Sequence, residues 1–333
     1  MGSPGRILRG SRRTLRRAQG ERTNAGDTER GTAHAELVEA CGVAQRSVLG
    51  STVFLNGRYV AGERAAVSVF DRGLLYGDGL FETMRSYRGV VFQLDEHIER
   101  LRASSRVLAL PLPAFDWRAR CHELLRRNGL VERDAWVRLM VTRGTSAPRL
   151  LPAERSQATT IILSGALPNR RRTSPATAVL LPFAPESFIA EHKSLNYLLG
   201  VLGKAFAARH GADEGLYVGA NGILREGTTS SLFLVRDGSL YTVPADGILP
   251  GITRQCVLGL ATTAAIRTVE RRLRPADLLE SDEAFLTSSL AEITPLVRVD
   301  ERPIGGGRPG PVTRQLQRLY RTAVGRYRRR SRT

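Results

Sequence analysis

Residues 1 to about 50 show little apolar periodicity, and an alternating pattern sets in at "STVFLNGRYV". There Val53 and Leu55 on one side, and Tyr59 and Val60 on the other, flank Asn56-Gly57, a dipeptide suited to a tight hairpin turn. The run "LFETMRSYRGVVFQL" predicts a second strand pair, turning at Arg88-Gly89. The period then lengthens. In "DEHIERLRASSRVLAL" Ile98, Leu101 and Leu108 fall at helical spacing, and Asp95 is placed as the N-cap, with acidic residues in the first turn. "FDWRARCHELLRRNGL" predicts a second helix, ended by Asn128-Gly129. "AWVRLMVTRG" and "ATTIILSGAL" read as strands.

The Pro-, Arg- and Ser-rich "PNRRRTSP" breaks the pattern and reads as an interdomain linker. Beyond it come the strand "TAVLLPF", the helix "LNYLLGVLGKAFAARHG" and a hairpin in "SSLFLVRDGSLYTV" that turns at Asp237-Gly238. A helix opens near "PGITRQ", strands follow in "EAFLTSSL" and "TPLVRV", and a final helix covers "VTRQLQRLYRTAV". No internal repeat is evident. Strands outnumber helices and run as hairpins, so the expected class is α+β with two layers or barrel-like sheets, not a doubly wound parallel sheet. The expected organisation is a basic extension over 1–50, with one short helix in "AELVEACGVAQRSVLG"; a domain over 51–168; a linker over 169–175; a second domain over 176–326; and a basic tail over 327–333.

Composition and charge narrow the function classes. No window approaches the roughly 18 apolar residues that span a bilayer, so no membrane partner is expected. The basic N-terminal stretch lacks the apolar core and cleavage site of a secretory signal. Cys41, Cys121 and Cys256 form no CxxC pair and no disulfide framework, which fits a reducing cytoplasm. The net charge of +18 is gathered largely in "RGSRRTLRR" and "RYRRRSRT". Such terminal charge reads as solvated tails, and no specific nucleic-acid site is expected. The five histidines lack metal-ligand spacing. "GDGLFE" is not a dinucleotide fingerprint, no phosphate loop of the GxxxxGK[ST] type occurs, and there is no GxSxG elbow.

One residue choice stands out against this background. Of 50 Lys plus Arg residues only Lys193 and Lys204 are lysine. A guanidinium stays protonated, whereas an amine can lose its proton and attack a carbonyl. Lys193, in "EHKSLNYLLG", lies at the mouth of an apolar helix, where desolvation lowers an amine's pKa. Lys204 reads as an ordinary surface residue. Tyr197, four residues after Lys193, is expected on the same helix face. Glu226, in "GILREGTTSSLFLV", is placed to accept from a protonated ring nitrogen. The helix start at Ile252 and Thr253 offers free N–H groups and a hydroxyl to a phosphate, and Ser288 and Ser289 offer a second hydroxyl cluster. Taken singly, these read as a surface lysine, a core tyrosine, a turn glutamate and ordinary loop residues. Together they describe a pyridoxal 5'-phosphate site, with the lysine bonding the cofactor and the carboxylate setting its ring electrostatics.

The same motifs carry a resemblance. "LNGRYV", "SVFDRGLLYGDGLFETMRSYRG", "FQLDEHIERL", "HKSLNYL", "EGTTSSLFLV", "GILPGITR" and "LTSSLAEITP" occur in the order of the class IV, or fold-type IV, pyridoxal phosphate aminotransferases. The likeness runs from about Val53 to about Val324. This family includes branched-chain and D-amino acid aminotransferases and 4-amino-4-deoxychorismate lyases. The resemblance implies a small α+β domain and a larger pseudo-barrel domain, in a homodimer. It implies that Lys193 forms the Schiff base and shuttles the substrate proton, that Glu226 pairs with the pyridinium nitrogen and that Tyr197 faces the cofactor's phenolic oxygen. Arg100, Ile252, Thr253, Ser288 and Ser289 match the phosphate contacts, and Phe81 matches an aromatic residue of the substrate pocket. In D-amino acid members an arginine soon after "VTRGTS" binds the substrate carboxylate, with a histidine two residues on. Here Arg149 comes one residue late and Leu151 stands in the histidine's place. The implied reaction moves an amino group from a branched-chain-like or D-amino acid to a 2-oxo acid. The alternative is β-elimination from aminodeoxychorismate, giving 4-aminobenzoate and pyruvate.

Overall fold

The computed structural model describes residues 50–153, 156–168, 174–185 and 188–331. Nearly all of the expected extension over 1–50, its short helix included, and residues 169–173 of the expected linker lie outside the described residues.

The first sheet is antiparallel, built from β1 (Thr52–Leu55), β2 (Arg58–Ala61), β3 (Gly79–Tyr87), β4 (Val90–Val91), β5 (Ala135–Thr142) and β6 (Thr159–Ala166) in the order β2-β1-β6-β5-β3-β4. Asn56 and Gly57 hold φ angles of 47° and 89°, which both central positions of the β1–β2 turn require. Helices α1 (Arg72–Tyr76), α2 (Leu94–Val107) and α3 (Trp117–Arg127) accompany this sheet. Asp116 caps α3 by accepting from Ala119 N at 3.0 Å. At α2 the expected cap is displaced. The helix opens at Leu94 after Gln93 (φ 51°), so Asp95 lies inside the first turn, where its charge still faces the positive end of the dipole. Leu94, Ile98 and Leu101 of α2 and Leu124 of α3 bury against Met84, Val137 and Leu139 of the sheet.

The second sheet is mixed and open: β7 (Ala176–Leu181), β8 (Glu214–Val218), β9 (Leu224–Gly227), β10 (Ser231–Arg236), β11 (Ser239–Thr242), β12 (Thr268–Glu270), β13 (Glu283–Ser288) and β14 (Glu292–Val299). Its order is β12-β11-β10-β13-β14-β7-β8-β9, with β15 (Arg302–Pro303) paired to β14. It curls into a half-barrel. Helices α4 (Leu198–Arg209), α5 (Ile252–Thr263), α6 (Pro275–Leu279) and α7 (Pro311–Arg330) complete the fold.

Residues Ser47–Thr333 make one compact unit. Tyr87 and Phe92, from the first sheet's side, share a core with Phe233, Phe285, Leu316 and Tyr320. Phe92 meets Tyr320 edge-on at 5.6 Å and Tyr327 at 5.1 Å. Burying one such ring contributes about 1.5–3 kcal/mol. The helix α7 runs on through Arg330, so residues 327–330 of the expected tail are helical and Tyr327 packs. No helix among the described residues is long and apolar enough to cross a membrane.

Candidate active site

The site begins at an open sheet edge. β4 pairs only with Ser86 and Tyr87, which leaves the first residues of β3 without a neighbour on that side. The segment carrying Lys193 fills the gap: Phe81 N donates to Lys193 O at 2.8 Å, and Leu195 N donates to Gly79 O at 2.9 Å. Lys193 is therefore extended, and α4 starts only at Leu198 with Tyr197 as its N-cap. This corrects the expectation of a shared helix face. Tyr197 and Lys193 meet for a different reason, because both side chains turn to Phe81. Lys193 Nζ lies 4.6 Å from the Phe81 ring centre and 5.6 Å from that of Tyr197, and the two rings stand edge-to-face at 5.3 Å. The guanidinium of Arg138, from β5, lies 4.2 Å from the same Phe81 ring.

Burial sets the protonation of this cluster. It lowers the Lys193 ammonium to about 8, and the Arg100 charge adds to the effect. It raises the Glu226 carboxyl to about 7, against the pull of the Leu249 N–H and the Lys193 charge. Glu226 lies within β9, and its Oε1 accepts from Leu249 N at 3.2 Å. Tyr197 donates its hydroxyl to Thr228 O at 2.6 Å, and burial pushes its phenol up. That hydroxyl hydrogen is held by Thr228 O, so Tyr197 can donate to a further group only by giving up this bond.

A second polar cluster lies beside the first. Arg100 donates from Nε and Nη2 to Glu82 at 2.8 and 2.6 Å, and from Nη1 to the Pro250 carbonyl at 2.8 Å. A guanidinium has five N–H donors, so one remains on each of Nη1 and Nη2. The Pro250 contact places those donors at the start of α5, whose first N–H groups have no partner within the helix. Ile252 opens that helix and Thr253 is buried in its first turn. The β13–β14 turn closes the cup. Ser289 Oγ lies 3.4 Å from Nε2 of His97, and Ser288 Oγ accepts from Ala291 N at 3.3 Å within the turn. The turn is held from β3, because Arg85 donates to Leu290 O at 2.6 Å and Tyr87 donates to Glu292 Oε1 at 2.8 Å.

Lys193, Tyr197, Glu226, Phe81, Arg100, Ile252, Thr253 and Ser289 thus gather along one side of the β3 edge and the α5 start. Arg149 does not join them. It is exposed in the loop after β5, where its carbonyl accepts from Arg72 Nη1 at 2.6 Å. Three residues escape a linear reading. Glu82 lies two positions from Leu80 and Met84 on β3, on the apolar core face, and is 1 % exposed. Its partners His97 and Arg100 stand three apart on α2, a carboxylate-facing pair that the apolar period of "DEHIERL" conceals. Arg138 reaches Phe81 only through the β3–β5 register, which pairs Phe81 with Met140 and Thr83 with Arg138. Lys204 is also more than a surface charge. Its Nζ lies 3.0 Å from Oε1 of buried Glu214 and donates to Asp213 O at 2.9 Å. Glu214 in turn accepts from the hydroxyls of Thr228, Thr229 and Ser230, the loop that follows Glu226.

The donor set suits pyridoxal phosphate. A low-pKa amine, a half-buried carboxylate and a cup of N–H and O–H donors with one arginine are the groups that cofactor's aldehyde, ring nitrogen and phosphate require. Among the described residues no cluster of His, Cys, Asp and Glu could hold a metal ion. The amino-transferase class IV family profile matches residues 79–299. A Methanocaldococcus jannaschii protein assigned as a branched-chain-amino-acid aminotransferase is 38% identical over 275 residues, 81% of this chain and 95% of its own length. The D-alanine aminotransferase of Bacillus licheniformis is 33% identical, over 82% of this chain and 96% of its own. The solved T.th. branched-chain amino acid aminotransferase with pyridoxamine 5'-phosphate superposes with a TM-score of 0.76 at 31% identity, covering 83% of this chain and 94% of that one. The protein is a pyridoxal phosphate-dependent transferase, and its chain belongs to the class IV aminotransferases.

Proposed function

We propose that this aminotransferase takes its amino group from an L-amino acid with a branched apolar side chain and passes it to a 2-oxo acid, with Lys193 as the cofactor-bearing amine. The carrying observation is the wall around Lys193: the rings of Phe81 and Tyr197 with the single guanidinium of Arg138. Aromatic walls suit an apolar side chain, and one arginine suits one carboxylate. The loop sequence disfavours the D-amino acid reading, because Arg149 comes one residue late and Leu151 stands where the histidine would be.

Pyridoxal phosphate supplies an aldehyde for amines and a ring that withdraws electrons from the adjoining carbon. The chain's residues do the rest. Lys193 would hold the cofactor and, as a free amine, would be the base that takes up the substrate's α-proton and returns it, a task for an amine titrating near working pH. Glu226, ionised, keeps a proton on the ring nitrogen. Arg100, the Ile252 and Thr253 N–H groups and Ser289 would hold the phosphate, with Ser288 shaping the turn. Tyr197 serves the phenolic oxygen on exchanging its Thr228 bond.

We also assign a homodimer. Phe70, Leu74, Leu150, Leu151, Leu198 and Val201 are exposed. Asn196 donates to Gly77 O, and Arg72 donates to Leu150 O, so the segments that bear these residues adjoin one another. An apolar face of this kind suits a second copy of the chain.

The test is a donor panel with 2-oxoglutarate as acceptor. L-leucine, L-isoleucine and L-valine are expected to be consumed, their D-enantiomers slowly or not at all. Preference for D-alanine would overturn the substrate assignment. Pyruvate released from aminodeoxychorismate without an acceptor would replace it with the lyase reading.

A further inference from the structure

Glu82, His97 and Ser289 form a chain of hydrogen bonds that ends in the phosphate cup. Glu82 Oε2 lies 2.7 Å from His97 Nδ1, and His97 Nε2 lies 3.4 Å from Ser289 Oγ. Glu82 and His97 are almost completely buried, at 1 % and 2 % exposed. Burial alone would raise the Glu82 carboxyl, but the Arg100 charge and the His97 contact hold it down at about 2, so it is a carboxylate. It therefore accepts from Nδ1–H. With His97 neutral, Nε2 carries no hydrogen and accepts from the Ser289 hydroxyl. The serine then points its hydrogen at the imidazole and its lone pairs at the cup. Phosphate oxygens would meet lone pairs.

The charge balance of the cup is equally incomplete. Arg100 contributes +1 and Glu82, bound to it through two hydrogen bonds, contributes −1. Their sum is zero. The start of α5 supplies roughly half a positive charge. A phosphate monoester is close to a dianion at neutral pH, since its second pKa is about 6. The groups that face His97 are Glu82 from β3, Arg100 from its own helix, Lys193 from the segment on the β3 edge and Ser289 from the β13–β14 turn. Burial keeps the imidazole's pKa below its ordinary value, and the Arg100 and Lys193 charges oppose the contribution of Glu82. A dianion on Ser289 would add two negative charges against those two positive ones.

We propose that His97 takes up one proton from solvent when a phosphate dianion enters the cup, so that Ser289 turns its hydroxyl hydrogen from the imidazole to the phosphate. From the imidazole outwards, every polar hydrogen then points towards the phosphate. Nε2–H donates to Ser289 Oγ, and Ser289 Oγ–H donates to a phosphate oxygen, while Nδ1–H stays on Glu82. No bond of the cofactor changes. The 3.4 Å separation is long for a hydrogen bond, which leaves the hydroxyl easy to turn. His97 is thus a positioning residue that acts on the phosphate through Ser289. This rests on the cofactor reading above and adds a proton linkage to it.

The experiment is calorimetry of the apoenzyme with pyridoxal 5'-phosphate and with pyridoxal, each in two buffers of different ionisation enthalpy near neutral pH. The phosphorylated form is expected to draw about one more proton per site than pyridoxal, the stoichiometry that one titrating imidazole gives. His97→Asn keeps a donor for Glu82 but cannot titrate, and should lose that extra proton while still forming the visible chromophore. As a check that needs no variant, ring-13C-labelled histidine in the native chain should show one imidazole becoming cationic on adding pyridoxal 5'-phosphate. Equal proton uptake with both ligands, or an extra proton retained in His97→Asn, would overturn the proposal. Absence of a chromophore in the native enzyme would instead sink the cofactor-bearing role of Lys193, so the two failures are distinct.

Discussion

Arg85 and Leu290 stand 205 residues apart in sequence and are joined by a 2.6 Å hydrogen bond from guanidinium to carbonyl. The bond ties the turn bearing Ser288 and Ser289 to β3, the strand that also carries Phe81 and Glu82. The candidate phosphate cup and the aromatic wall around Lys193 are thereby set from one strand. Arg85 also lies 3.0 Å from Asp134 and 3.4 Å from Glu292, with its side chain 9 % exposed. Arg85→Met should take a positive partner from Glu292 in the interior and cost about 3–5 kcal/mol. Denaturant unfolding measures this, and cofactor affinity should fall in parallel. A variant as stable as the native chain would show that the tie is dispensable.

Lys193→Ala should remove the visible chromophore formed with pyridoxal 5'-phosphate. Turnover should drop at least about a thousandfold, as expected when a covalent catalytic group is deleted. Lys193→Arg should do the same, because a guanidinium cannot condense with an aldehyde. Single-turnover absorbance with an amino donor reads both.

Capture of the cofactor should quicken as pH rises from about 7 to about 9. The sign follows from the two shifted groups. Lys193 is lowered to about 8, and the fraction of free amine grows through that value. Glu226 is raised to about 7 and becomes the carboxylate that the protonated ring nitrogen requires only above it. Stopped-flow absorbance across this range is the measurement. A rate that rises only above about 10, where an ordinary lysine titrates, would contradict the burial argument.

Leu198→Asp places a charge on the exposed apolar face and should make the proposed dimer a monomer. Light scattering on the eluting protein reads the mass directly. A native chain that is monomeric at working concentration would remove the dimer assignment.

Much of this candidate site is legible along the chain because its members are singular in type. Lys193 is one of two lysines among many arginines, and Ile252 follows a Pro-Gly break at a helix start. Hairpin turns such as Asn56-Gly57 are legible because few residues tolerate their backbone angles. What a linear reading misses depends on strand register. Glu82, His97 and Arg138 acquire meaning only when β3 lies against β5 and α2. Tyr197 reaches Lys193 through Phe81 and not through a helical turn, since an open strand edge takes up the Lys193 segment. Lys204 reads as a surface charge because its partner, Glu214, lies on a strand that packs against its helix.

The scarcity of lysine has a practical consequence for chemical modification. Amine-reactive reagents meet two side-chain targets in this chain, apart from the terminal amine. Lys193 is half-buried beside the phosphate cup and Lys204 is more open to solvent, with 41% of its side chain accessible. In the loaded enzyme an acylating dye should therefore attach at Lys204, taking its charge from Glu214. In the apoenzyme a small aldehyde should find Lys193 and abolish it. One protein thus offers two amines that can be addressed separately, a fluorescent handle on the outside and an active-site titrant within.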